Sequence, residues 1–271
     1  MRPTPTYDNR SYEDLVLAWK AIRRTHGLSV REVACVGAQR TLLVAELGST
    51  QAPAIHVTAG VHGDEPAGPW ALLSIVRDGL LDPRFAYRIW PCTNPSGYQA
   101  GTRENAEGND VNRSFSRGGT TPESKAIITA NRDRKYFMAL DLHEDFEAEG
   151  FYCYEPVVDG EALLGRTILD AIEFAGFPLQ PLDHLFDLGY PKDPAIAASL
   201  RTLEPGRVLV NVPEETRHFR GLPLSLYLLR SATHRYVTVE TPRRRPWDER
   251  IAMHRVASAA VLAEAATLAE K

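Results

Sequence analysis

The stretch TAGVHGDEPAG, from Thr58 to Gly68, holds a histidine and a glutamate three positions apart, His62 and Glu65, between glycines and directly after the apolar run AIHV. Each can bind a metal ion. His143 in DLHED and Glu240 in VETP also stand at the ends of strand-like runs. Two histidines and a carboxylate are a recurring catalytic zinc set, because three protein ligands leave a fourth position open. HxxE by itself is weak, since most lone histidines are hydrogen-bonded structural residues. A polar run from Asn94 to Gly119, NPSGYQAGTRENAEGNDVNRSFSRGG, adds Arg103, Asp110, Asn112 and Arg113. Adjacent Asn and Arg suit a substrate carboxylate, because a guanidinium offers a forked pair of donors. An Asn turn and a loop salt bridge would account for the same residues.

These residues need a scaffold that brings distant segments together. AIHVTAG reads as a strand, EPAGPWALLSIVRDGL as a helix and YRIWPCT as a strand, the order that builds a parallel sheet. PESKAIITANRD reads as a helix, YFMALDLHE and FYCYEP as strands, and EALLGRTILDAIEFAGF as a helix. RYVTVETP gives a further strand and WDERIAMHRVASAAVLAEAATLAE a long terminal helix with an alanine-rich face. Upstream, YEDLVLAWKAIRRTH spaces Leu15, Leu17, Ala18, Ala21 and Ile22 as one helical face, and EVACVGAQRTLLVAEL reads as two strands joined at GAQR. Prolines interrupt most patterns between Pro178 and Leu229. In sheets of this kind ligands bind beyond the carboxyl ends of the strands, where His62, Glu65, His143 and Glu240 fall.

With 271 residues and no internal repeat or linker, a single domain over residues 1–271 is expected. The net charge of −4 is scattered, which argues against a nucleic-acid binder. RRRP at Arg243 to Pro246 is the densest basic run and reads as a solvated loop. No stretch approaches the roughly 20 uninterrupted apolar residues of a membrane helix, so no membrane partner is expected. The N-terminal MRPTPTYDNRSYEDLVLAWK lacks the pattern of a secretory signal, and a cytoplasmic location is expected. Cys35, Cys92 and Cys153 form no CxxC pair and read as reduced core residues. No GxSxG is present, and no cysteine stands in a nucleophile motif, which disfavours serine and cysteine hydrolases.

GVHGDEPAG, TRENAEGNDVNRSF, DLHED and VETP stand in the order found in the zinc carboxypeptidases and in the related succinylglutamate desuccinylase and aspartoacylase branch, and the chain resembles that superfamily from Ile55 to Asp145, with a further anchor at Glu240. The resemblance implies an α/β domain whose mixed, mostly parallel central sheet carries helices on both faces. It implies one zinc per chain, held by His62, Glu65 and His143, with Glu240 as general base and later proton donor. Arg103 would polarise the scissile carbonyl, Asn112 and Arg113 would clamp a free carboxylate, and Asp110 would orient His62. Zinc lowers the pKa of bound water toward about 7 and polarises a carbonyl, so an amide could be attacked near neutrality.

Two departures stand out. Digestive carboxypeptidases are longer between the first ligand pair and the Asn-Arg pair, and they carry a mobile tyrosine before the catalytic glutamate, for which Tyr227 and Tyr236 are both available. Glu144 and Asp145 are additional carboxylates beside a ligand, and a structural or solvated role is favoured over a second ion or a cationic substrate group. The expected function is a zinc metallocarboxypeptidase acting on a small peptide with a free carboxylate. An N-acyl amino acid deacylase, with an acylated amino acid as substrate, is the alternative. An inactive binding protein on the same fold is the third. Pocket depth, expected to depend on Pro178 to Leu229, would separate the first two.

Overall fold

The computed structural model describes residues 11–116, 118–182, 200–211 and 221–270. Helix α1 (Tyr12–Ile22) precedes a hairpin of β1 (Ser29–Val36) and β2 (Arg40–Leu47). Then follow β3 (Ala54–Ala59), α2 (Ala67–Arg77), β4 (Ala86–Trp90), the short α3 (Pro95–Ala100), α4 (Pro122–Ala130), β5 (Met138–Asp145), β6 (Tyr152–Pro156) and α5 (Gly165–Phe174). The chain ends with β7 (Leu200–Glu204), β8 (Arg207–Val210), α6 (Leu224–Ser231), β9 (Tyr236–Pro242) and α7 (Trp247–Ala269).

Among the described residues these strands form one nine-stranded sheet in the order β1-β2-β4-β3-β5-β9-β6-β8-β7. Its heart, β4-β3-β5-β9, is parallel. The hairpin and β2 against β4 are antiparallel, as are β6 against β9 and β7 against β8, while β6 and β8 run parallel. The sheet is therefore mixed, with its parallel pairings concentrated at the centre. Because β3, β5 and β9 are adjacent and parallel, their carboxyl ends open on the same edge.

Strand alternation divides the core. Leu43, Ala45, Ile55, Val57, Leu140, Leu142, Val237 and Val239 pack with residues of α1, α2, α5 and α7 on one face. Leu42, Val44, Ala139 and Tyr236, one residue out of step, pack with Ile127 of α4 and Leu224 and Leu228 of α6 on the other. Polar residues interrupt this second face at Thr58, Asp141 and His143, which is where the layer opens into a cleft.

Several expectations are corrected. Helix α1 stops at Ile22 rather than near His26, and its buried face is Tyr12, Leu15 and Trp19, while Leu17 is 62% exposed. Cys35 is exposed, whereas Cys92 and Cys153 are buried. The run from Asn94 to Gly119 contains α3 and a single helical turn at Val111–Arg113. Helix α7 is, by length and composition, the one helix among the described residues able to cross a bilayer, with a mean hydropathy of 1.2, yet half of that stretch is buried inside the molecule. It is the core helix between α2 and α5.

Candidate metal centre

At the end of β3, Gly60 takes φ of +61°, a conformation that lets the strand turn sharply without a Cβ penalty. The turn delivers His62 and, one hydrogen bond later, Glu65, whose N–H donates to the His62 carbonyl at 3.3 Å. Gly63 lies so close to α3 that a Cβ there would fall 1.9 Å from the Gly97 carbonyl carbon. Asn94 caps α3 through its Oδ1, which accepts from Gly97 N–H, and its Nδ2 donates to the Arg103 carbonyl. The loop carrying Arg103 is thus fastened beside His62.

The structure brings His62, Glu65 and His143 together, with one potential ligand atom from each lying within 4.8 Å of the others. Glu65 stands between the two rings: Oε1 is 2.5 Å from His62 Nδ1 and Oε2 is 2.9 Å from His143 Nδ1. On their far sides both rings face aspartates. His143 Nε2 is 3.1 Å from Asp141 Oδ2, a hydrogen bond, and His62 Nε2 is 3.6 Å from Asp110 Oδ1, beyond hydrogen-bond distance. Asp141 also accepts from the hydroxyls of Thr58 at 2.6 Å and Tyr236 at 3.0 Å.

This geometry fits a divalent cation. An imidazole whose Nε2–H is given to an aspartate, as that of His143 is to Asp141, presents a lone pair at Nδ1, and this lone pair would face Glu65 unless positive charge lay between them. Burial opposes ionisation of Glu65, yet His62 and His143 outweigh it and hold its pKa well below the carboxylate range. Burial likewise opposes a charged His143, and Asp141, Glu65 and Glu240 outweigh it, raising the imidazole's pKa. The site is built around positive charge, and an N, N, O donor set is that of catalytic zinc. Carboxylates behind the ligating histidines fix ring orientation and strengthen them as donors.

Glu240 is the register partner of His143 across β5 and β9, and of Tyr152 across β9 and β6. It lies partly open to the cleft, and burial by the surrounding protein pushes its pKa well above 4.5 against the pull of His143. Arg103 donates from Nε and Nη2 to Asp110 Oδ2 at 3.1 and 3.0 Å, which holds its guanidinium beside His62. Asn112 is fixed by accepting from Leu224 N–H at 3.0 Å, and Arg113 Nη1 donates to the Asn112 carbonyl. All eight sequence-derived residues are placed at one cleft of about 490 Å³, which seven of them line directly while Asp110 stands behind Arg103 and His62.

Asp141 was missed by sequence reasoning, although DLH carries a signal: residues two apart on a strand share a face. Tyr152, which donates to Asp145 Oδ2 at 2.6 Å, and Arg243, paired with Asp64 at 2.8 Å, also line the cleft. RRRP is therefore only partly a solvated loop. Of the two candidate tyrosines, Tyr236 is buried and bonded to Asp141, while Tyr227 packs on Phe115. Glu144 is structural, buried against Arg250 and the start of α2, and Asp145 lines the cleft. From the segment expected to set pocket depth, Val210, Pro223, Ser225, Leu226 and Leu229 line the cleft. Residues 183–199 and 212–220 of that segment lie outside the described residues.

Residues 51–159 match the model of the succinylglutamate desuccinylase/aspartoacylase catalytic domain. Carboxypeptidase SOL1 of Arabidopsis thaliana is 32% identical over 111 residues, 34% of this chain and only 23% of that protein's length. A metallo-carboxypeptidase from Burkholderia cenocepacia superposes with a TM-score of 0.67 at 17% identity, covering 95% of this chain and 70% of that one. Carboxypeptidase A from Helicoverpa armigera gives 0.66 at 17% identity, with 96% and 74% covered. At these identities the solved structures establish the fold.

Proposed function

We propose that this chain, which has the metallocarboxypeptidase fold and whose residues 51–159 match the succinylglutamate desuccinylase/aspartoacylase catalytic domain, is a zinc-dependent carboxypeptidase acting on small peptides with a free carboxylate. One observation carries the reading: Glu240, Arg103 and the Asn112–Arg113 pair all line the cleft that holds the His62–Glu65–His143 cluster. A hydrolase of amides next to a carboxylate needs a proton carrier, a stabiliser for oxyanion charge and an anchor for the carboxylate, and these residues supply one of each.

Bound zinc would supply Lewis acidity toward a carbonyl oxygen and toward water. The remaining chemistry belongs to the chain. Glu240 takes a proton at its carboxylate and returns it to the leaving nitrogen. Arg103, held by Asp110, offers positive charge where negative charge develops in the transition state. Asn112 and Arg113 hold the substrate's free carboxylate and so fix which amide meets Glu240.

The matched catalytic segment favours a second reading, an N-acyl amino acid deacylase working with the same residues. Elemental analysis of the purified protein beside a screen of free-carboxylate peptides and N-acyl amino acids decides between them. About one zinc per chain with chelator-sensitive peptide cleavage is the expected result. Cleavage of acyl amino acids alone selects the deacylase, and no metal with no hydrolysis after zinc is added leaves an inactive binding protein.

A further inference from the structure

Glu144 and Arg250 have no place in the chemistry above, yet they form an ion pair whose side chains are 0% and 1% exposed. Such a pair is a poor source of stability, because desolvation offsets most of the attraction. Its contacts point elsewhere. Strand alternation sends His143 into the cleft and the next residue, Glu144, to the opposite face, where α2 and α7 pack. There Glu144 Oε1 accepts from Ala67 N–H at 2.6 Å, in the first turn of the helix that follows Glu65, and Oε2 meets Arg250 Nη1 of α7. On the cleft side the backbone N–H of Glu144 donates to Glu65 Oε2 at 3.2 Å.

One residue therefore follows His143 in the chain, touches Glu65 with its backbone and grips the start of α2 with its carboxylate. Resting on the reading of His62, Glu65 and His143 as zinc ligands, we infer that the Glu144–Arg250 pair is a positioning device that sets the His62–Glu65 loop against His143. Ligands on two separate segments must meet a metal to within about 0.2 Å, and Glu144 adds to the α3 contact of the His62–Glu65 loop a tie from its α2 end to β5. Arg250 aims the Glu144 carboxylate, and the carboxylate fixes the loop through α2.

The test compares the metal-free and zinc-loaded wild-type protein with a Glu144→Leu/Arg250→Met double variant. That variant removes both charges of the pair together, so it is expected to fold. Zinc affinity is read by competition with a chromophoric chelator, ligand geometry by the visible spectrum after cobalt substitution, and folding by the melting temperature of the metal-free protein. The double variant is expected to lose about 10- to 100-fold in zinc affinity and to alter the cobalt spectrum while its metal-free melting temperature changes little. A Glu144→Gln/Arg250→Met variant keeps an acceptor for Ala67 N–H without leaving Arg250 unpaired, so it should lose less affinity, and it serves as the probe should the first double variant not fold. Wild-type affinity and an unchanged cobalt spectrum in whichever variant folds would overturn the positioning role and leave the metal site intact. A wild-type protein that takes up neither zinc nor cobalt would overturn the metal site itself.

Discussion

Each charged residue in the cleft has a different kind of neighbour, and that difference separates their roles. Glu65 is pulled down by two imidazoles, whereas Glu240 is pushed up by burial. On the proposed reading Glu65 holds the metal and Glu240 carries the proton. Glu240→Gln should therefore retain the metal while amide hydrolysis falls by about 10²- to 10⁴-fold, the usual span for a lost acid-base group. Metal content and turnover measured on one preparation check this, and full activity in the variant would remove Glu240 from the mechanism. Asp141→Asn should weaken zinc binding by about 10- to 100-fold, because His143 would lose the charge behind its Nε2. Chelator competition checks it. Asp110 stands 3.6 Å from His62 and is shared with Arg103, so its replacement should also disturb Arg103.

The elements converge on the cleft by close approach. β3 gives way to a turn at Gly60, and the loop beyond it lies against α3 with no room for a side chain at Gly63. Gly63→Ala should displace α3 or the His62 loop, at a cost of about 1 to 3 kcal/mol, the range for overpacking. Denaturant unfolding would show the loss, and zinc affinity should fall with it, since both His62 and the Arg103 anchor at Asn94 border this contact. Unchanged stability would mean that the two backbones are less tightly seated than this packing implies. The same pass along the chain shows what was legible locally. The β1–β2 hairpin, β3, α2, β5, β9 and α7 follow from apolar periodicity and turn residues. The face of α1 did not: Trp19 is buried and Leu17 is exposed, because docking on the sheet chose among several apolar residues.

At the scale of the molecule, metal and pH act on the whole fold. Zinc that binds only the folded chain should stabilise it by about 4 kcal/mol at a thousand times its dissociation constant. A chelator should lower the melting temperature, with zinc restoring it. Acid should act through two histidines buried as neutral rings. Burial, reinforced by Arg88, pushes His56 down to about 3, and burial with Arg250 does the same to His254. In the unfolded chain each titrates near 6.5. Their depressed folded values mean that the stabilisation is complete above that pH and declines as pH falls from about 6.5 toward 3. Each should remove roughly 2 kcal/mol between pH 7 and pH 5. Urea unfolding at both values checks this, with His56→Gln expected to be less acid-sensitive than the wild type by about that amount.

The sequence carries the order of His62, Glu65, His143 and Glu240 and the strands that end near them, because periodicity and glycine placement are local properties of the chain. It also carried Arg103, Asn112 and Arg113, since a long polar loop is visible without a fold. That Asp141 lies behind His143, that Tyr236 is bonded to it, and that Glu144 reaches α2 and Arg250 became visible only in the fold. Those facts depend on which strands become neighbours and in what register. His143 beside Glu240, and Thr58 beside Asp141, are pairings between residues 97 and 83 positions apart. A chain read from end to end carries no term for that distance; packing on both faces of one sheet supplies it.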